Sequence, residues 1–319
     1  MTEGRSCPLA YRYQPASLCA DPVPVAEDVI YVIGGLYGNP FALDEIEKMA
    51  LAEERHGRSV KLVFNGDFNW FNASNELFRD INNRVLKHTA ILGNVDFELA
   101  APSAGAGCGC AYPEFVDQGV VERSNQIMSR LQNLAATHPD IQQRLAVLPR
   151  YQCLMLGGLK VLVLHGDPES LAGWGLAYES FAAGNQGCLD SWFRESGADV
   201  MVSTHTCLPV LWSGVVQGRP CAVANNGSSG MGNLSGDVRG LITRISRTAP
   251  AVESIAGLAV GGGLHVDLMP VNYNVSAWME QFDRLWPQGS PAEKSYRKRI
   301  VEGASLSPGD LVFPLLSEA

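Results

Sequence analysis

Val29-Ile30-Tyr31-Val32-Ile33-Gly34-Gly35 decides the fold: five apolar, largely β-branched residues run into a glycine pair. The stretch reads as a buried strand ending in a tight turn. Behind Pro40, the apolar residues Phe41, Leu43, Ile46, Met49 and Ala50 recur in helical period as far as Glu54. The same unit follows again. Val60 to Phe64 stops at Gly66-Asp67, and a helix capped by Ser74 carries Leu77, Phe78, Ile81 and Val85. A third strand, Thr89 to Leu92, stops at Gly93-Asn94.

Working outward, residues 1–28 are Pro-rich and aperiodic, an arm laid over the domain or a frayed tail. From about residue 100 to 116 the composition shifts to Gly, Ala and Cys, which marks an insert. Helical patterns over about 117–136 and 139–148 follow it. Tyr151 to Leu156 and Leu159 to Leu164 flank Gly157-Gly158 as a hairpin. A helix over about 187–196, a strand from Asp199 to Val202, a second hairpin around Gln217-Gly218, and strands Leu241 to Ile245 and Leu264 to Pro270 complete the domain at about residue 275. Residues 276–319 read as a helical extension, whose basic run Lys294 to Arg299 could touch an anionic ligand but more simply covers a solvated helix face. Parallel βα units ahead of an antiparallel block suggest one α/β domain with two sheets facing each other between helices.

Composition narrows the function classes. With 46% hydrophobic and 18% charged residues, a chain of 319 residues buries a core without metal or disulfide staples. Its polar clusters therefore need another explanation. A net charge of −9 disfavours nucleic acid and anionic membranes as partners. No run of roughly 18 apolar residues is present, and the N-terminus lacks a basic region followed by an apolar one, so a cytoplasmic location is expected. The eight Cys are too sparse for a secreted disulfide framework and are expected as thiols.

Polar residues gather where strands end, the place at which open α/β sheets bind ligands. They are Gly34 to Asn39, Gly66-Asp67, Gly93-Asn94-Val95-Asp96, His165-Gly166-Asp167 and Thr204-His205-Thr206-Cys207. In order and context they resemble the calcineurin-like metallophosphoesterase superfamily. Its signature runs Asp-x-His-Gly-Asn, Gly-Asp, Gly-Asn-His-Asp/Glu, a later His-Gly, then Gly-His-x-His. The resemblance spans about Val29 to Val275, and Asn226-Gly227-Ser228 looks like the Asn-Pro-Gly-Ser loop of the small bacterial phosphodiesterase-like branch.

The resemblance implies a four-layer αββα sandwich of two mixed sheets flanked by helices. It also implies a metal site made of Asp67, Asn94, His165 and His205. Two imidazoles, a carboxylate and an amide oxygen suit Mn, Fe or Zn better than Ca or Mg. The family's first metal site is changed: Gly35 stands for its Asp, Tyr37 for its His, and Cys207 for the second His of the last motif. Val95 replaces the His that serves the oxyanion or leaving group in many members. One ion is thus expected, a second being open.

Three outcomes follow. A one-metal hydrolase would act on a small-molecule phosphate ester. A rebuilt first site would recruit thiolates from Cys207 and from Cys108 or Cys110. A catalytically inactive protein would keep the pocket to bind a metabolite or partner. Hydrolysis of a non-phosphate substrate is a further option that fold analogy leaves open. Tyr37, Asn39, Asp96 and Asp167 are candidates for orienting the ligands or touching substrate.

Blander readings attach to the rest. His56, His88, His138 and His265 have no partner motif and read as structural, while Cys153, Cys188 and Cys221 read as core. Gly34 to Gly38 lacks the first glycine of a dinucleotide turn, and Asn225 to Gly236 lacks Gly-Lys-Ser/Thr, so neither signals a nucleotide fold.

Overall fold

The computed structural model describes residues 3–184 and 187–313. In chain order, β1 (Val23–Pro24) precedes β2 (Val29–Ile33), α1 (Pro40–Arg55), β3 (Val60–Asn65), α2 (Asn75–Val85), β4 (Thr89–Ile91) and α3 (Asn94–Ala100). Next come α4 (Gln118–Ala135), α5 (Pro139–Ala146), β5 (Tyr151–Leu156), β6 (Leu159–Leu164), α6 (Tyr178–Ala182), α7 (Leu189–Ser196), β7 (Val200–Ser203), β8 (Pro209–Val216) and β9 (Arg219–Asn226). Last are β10 (Gly240–Ser246), β11 (Ala256–Val260), β12 (Leu264–Val271), α8 (Val275–Leu285), α9 (Pro291–Glu302) and β13 (Val312–Phe313).

Local chemistry sets the helix starts. Asn39 caps α1 by accepting from the amides of Phe41 and Ala42 at 3.0 and 3.1 Å, with Pro40 in the first turn. Ser74 accepts from the Leu77 amide at the start of α2. Strand β2 is buried on both faces, which is why its sequence shows no alternation.

The strands form two mixed sheets, one ordered β11-β12-β10-β2-β3-β4 and the other β1-β5-β6-β7-β9-β8-β13. Strand β2 lies parallel to β3 and antiparallel to β10, so the late antiparallel strands return to the sheet that the first βα units began. The side-chain period of two then divides each strand between two cores. Ile30 and Val32 face the second sheet's Val161, Val163, Val200 and Val202, whereas Val29, Tyr31 and Ile33 meet Leu43, Ile46 and Phe78 of α1 and α2. On the far side, Leu162, Leu164 and Met201 pack against Trp192 and Phe193 of α7. The layers are therefore helix, sheet, sheet, helix. Each fully buried branched side chain contributes roughly 1.5–3 kcal/mol.

The N-terminal arm lies along the second sheet: Val23 and Pro24 pair in parallel with Leu154 and Met155, and Leu18 and Cys19 enter the core against α7. Helices α8 and α9 bury Trp278, Phe282, Trp286 and Ile300 in the first sheet's helical layer. The C-terminal region is not helical throughout, because Val312 and Phe313 add a short strand beside β8. Residues 314–319 of the expected extension lie outside the described residues. Strand β11 and helix α3 have no counterpart in the sequence reading. Cys188 is exposed at the start of α7, so its placement in the core is corrected: its position ahead of the helix leaves the side chain in solvent. Cys153 and Cys221 are buried. Among the described residues, no helix is long and apolar enough to cross a membrane.

Candidate metal centre

Four strand ends converge between the sheets. Asp67 lies just beyond β3 and Asn94 opens α3 after β4, both on the first sheet; His165 follows β6 and His205 follows β7, both on the second. The Gly66 and Gly93 loops can meet only because both lack a side chain: a Cβ on Gly66 would stand 2.2 Å from the Gly93 amide nitrogen, and one on Gly93 2.2 Å from Asp67 Oδ1.

His165 Nε2 lies 3.3 Å from Asp67 Oδ2, 3.2 Å from Asn94 Oδ1 and 3.2 Å from His205 Nδ1. The remaining polar atoms of these side chains are committed elsewhere, which decides what those four atoms carry. His165 Nδ1 is 2.9 Å from the Asn65 carbonyl and His205 Nε2 is 3.1 Å from the Cys110 carbonyl, so each of those nitrogens bears the proton and donates it. The Asn94 amide nitrogen donates to the Cys108 carbonyl at 3.0 Å, which turns its oxygen inward. Asp67 Oδ1 accepts from the Val95 amide at 3.0 Å. Four lone pairs thus point at one another in a buried place, an arrangement that repels itself unless a positive charge sits among them. The three separations fit the roughly 3.3 Å between ligands of a tetrahedral ion with bonds of about 2.0–2.1 Å. Asp67, His165 and His205 are also the one group of three such side chains, among the described residues, close enough to hold a cation.

Electrostatics agree. Burial and then the neighbouring His165 push the His205 imidazole down to about 3, which keeps it neutral as a ligand must be. Burial also lowers His165, but the Asp67 carboxylate outweighs it and the net shift is upward. Asp96, fully buried and close to the Asp67 charge, is raised to about 7.

Tyr37 and Cys207, from the loops after β2 and β7, meet beside this group. Tyr37 OH lies 2.7 Å from Cys207 Sγ, in a spot where burial raises both groups and keeps phenol and thiol neutral. Cys108 and Cys110 bring their sulfurs together across Gly109, whose φ of +70° folds the chain back. Neither Cys108 nor Cys110 belongs to the group of side chains close enough to hold a cation. Their carbonyls serve the site instead, one orienting Asn94 and the other His205. Tyr37, Asp67 and Cys207 all hold left-handed backbone at φ 53°, 49° and 63°. Such strain costs of order 1–3 kcal/mol each and clusters at sites that the surrounding fold over-determines.

The other candidates fall into place unevenly. Asn39 is spent on capping α1 and on donating to the Gly230 carbonyl, so it does not reach the centre. Asp96 accepts from Asn69 and from the Gly93 amide and touches neither imidazole. Asp167 accepts from the amides of Glu169, Ser170 and Gly175, each at 3.0 Å, and so shapes the loop that carries Trp174. Trp70, Tyr112, Trp174, Tyr296 and Arg299 line the cavity, and sequence reasoning missed the first three and reached the last two only through the basic run that contains them. A signal existed in the three-residue spacing of Tyr296 and Arg299, which puts them on one face of α9. The run Lys294 to Arg299 is therefore not wholly a solvated face.

Two solved structures are similar over nearly their whole length. A hypothetical protein from Pyrococcus horikoshii OT3 matches at 14% identity and a TM-score of 0.56, covering 87% of this chain and 99% of its own. A metallophosphoesterase from Sphaerobacter thermophilus matches at 18% identity and a TM-score of 0.52, covering 86% of this chain and 100% of its own. No family model matches the sequence, and no curated protein does. With two facing mixed sheets between helices, and its polar strand-end loops gathered at the junction, the chain shares the fold of that metallophosphoesterase.

Proposed function

We propose that this protein hydrolyses a small-molecule phosphate ester using one divalent transition-metal ion, Mn, Fe or Zn, held by Asp67, Asn94, His165 and His205. The observation that carries the reading is the gathering of Asp67, Asn94 and His205 donor atoms within 3.3 Å of His165 Nε2, each side chain held by a hydrogen bond on its other side. When bound, the ion supplies Lewis acidity, polarising a phosphoryl oxygen and making a water more acidic. The Asn65 and Cys110 carbonyls hold the two imidazoles in one tautomer. Tyr37 and Cys207 fill the space where a second ion would sit and keep that space neutral. Arg299 places a guanidinium on the cavity wall, suited to an anionic ester.

The test is elemental analysis of protein purified without chelator, followed by assay of phosphomonoesters and phosphodiesters with each metal. One ion per chain and turnover that depends on it are expected. His165→Ala and His205→Ala should each lose at least about tenfold in metal affinity. Full occupancy in either variant refutes the ligand assignment. The filled first site favours a second reading, a non-catalytic binding module; one ion bound without turnover of any ester would establish it.

A further inference from the structure

A cavity of about 190 Å³ is lined by three of the four donors, Asp67, Asn94 and His205, with His165 buried behind them. Besides the donors, its walls are mainly aromatic: Trp70, Tyr112, Trp174 and Tyr296. Their arrangement is fixed. Trp174 stands edge-on to the His205 ring at 5.6 Å and lies 5.9 Å from Tyr112, while Trp70 meets Tyr296 at 6.3 Å and 88°. The polar atoms of two walls are tied off, Trp174 Nε1 to the Cys110 carbonyl at 3.0 Å and Tyr112 OH to Ser124 Oγ at 3.0 Å. What Trp174 and Tyr112 offer a ligand is therefore ring surface. The single Lys or Arg on the described walls is Arg299, held through Nε by the Gly232 carbonyl and through Nη2 by the Cys207 carbonyl. Its Nη1 makes no hydrogen bond among the described residues.

We propose that this cavity selects phosphate esters that carry a flat aromatic ring, with the phosphoryl group towards the metal centre and Arg299 and the ring among Trp70, Tyr112, Trp174 and Tyr296. The proposal rests on the metal-ester reading above and adds the substrate class. Aromatic walls reward a ring by edge and face contacts, whereas a hydroxyl-rich group set against them is desolvated with few partners. The volume falls below the 300–1,000 Å³ typical of pockets for drug-sized ligands, so it accommodates a small ring and excludes a polymer.

The test is calorimetric titration of the manganese-loaded protein with two ligand pairs, phenylphosphonate against methylphosphonate and AMP against ribose 5-phosphate. In at least one pair the ring-bearing member should bind about tenfold more tightly. A gain in the first pair puts the ring next to the phosphoryl group; a gain in the second puts it across a sugar. Trp174→Leu and Tyr296→Leu should each bring the ratio towards one while manganese content stays unchanged. Equal binding within both pairs overturns the proposal, as does a preference that survives both substitutions. Should a variant fail to fold, the ratios on the unaltered protein still decide. Anion binding that is no stronger with manganese than without it would count against the metal-ester reading instead, and the within-pair ratio would still report on the ring.

Discussion

Gly35 and Tyr37 show how tightly the loop after β2 is packed. Gly35 sits at φ +59°, and a Cβ there would come 3.0 Å from the Tyr37 ring and 3.1 Å from Ser228 Cβ. Restoring the family's Asp alone therefore adds left-handed strain and a steric conflict. Gly35→Asp should destabilise the fold by about 1–3 kcal/mol in urea unfolding. Adding Tyr37→His removes the ring that crowds it, so the double variant should recover part of that loss. A double variant no more stable than the single would mean that the Tyr37 ring is not the obstacle. That Asp67, Asn94, His165 and His205 would come together was legible from residue type and order. The carbonyls that set their tautomers were not, because a backbone oxygen has no sequence signature.

At the scale of elements, α1 is fastened to the first sheet by a buried ion pair as well as by its apolar face. Arg244 on β10 is fully buried and donates to Glu53 of α1 at 2.7 Å, and Arg58 joins the same carboxylate. Burial pushes the Glu53 carboxyl up, yet the two guanidiniums outweigh it and hold the group below its ordinary value of 4.5. A depressed folded-state value stabilises the protein above about pH 4.5, and that contribution fades as acid carries the pH through the folded value. Glu53→Gln should thus cost about 3–5 kcal/mol at pH 7, since it leaves a buried cation short of its partner. The gap to the unaltered protein should narrow below pH 4.5; a gap independent of pH would deny the ion pair its role. Elements with local signals, such as β2, α1 and the Gly157-Gly158 hairpin, could be read directly. Strand β11 could not: Gly257, Gly261, Gly262 and Gly263 dilute its alternation, and pairing with β12 is what makes it a strand. Helix α3 was hidden because its first turn contains Asn94 and Asp96, residues that also suit a loop.

For the whole molecule, the donors come in equal shares from the two sheets, so an ion bound there ties one half of the sandwich to the other. Ligand linkage then predicts that metal at a thousandfold excess over its dissociation constant adds about 4 kcal/mol to stability. Chelation should lower the melting temperature of the unaltered protein and leave that of His205→Ala nearly unmoved. Equal shifts in both would place the stabilising ion elsewhere. The two-sheet architecture was legible because βα units and hairpins have distinct periods. The aromatic cavity was not, since its walls come from the insert, two strand-end loops and α9, which meet only after the sheets have closed.

The seven-stranded sheet is flanked by β1 at one side and β13 at the other, each only two residues long. Both act as bumpers that keep β5 and β8 from presenting bare backbone to other molecules. Trimming either by a protease would uncover an adhesive seam, so limited digestion should end in clumped material rather than a tidy shortened monomer.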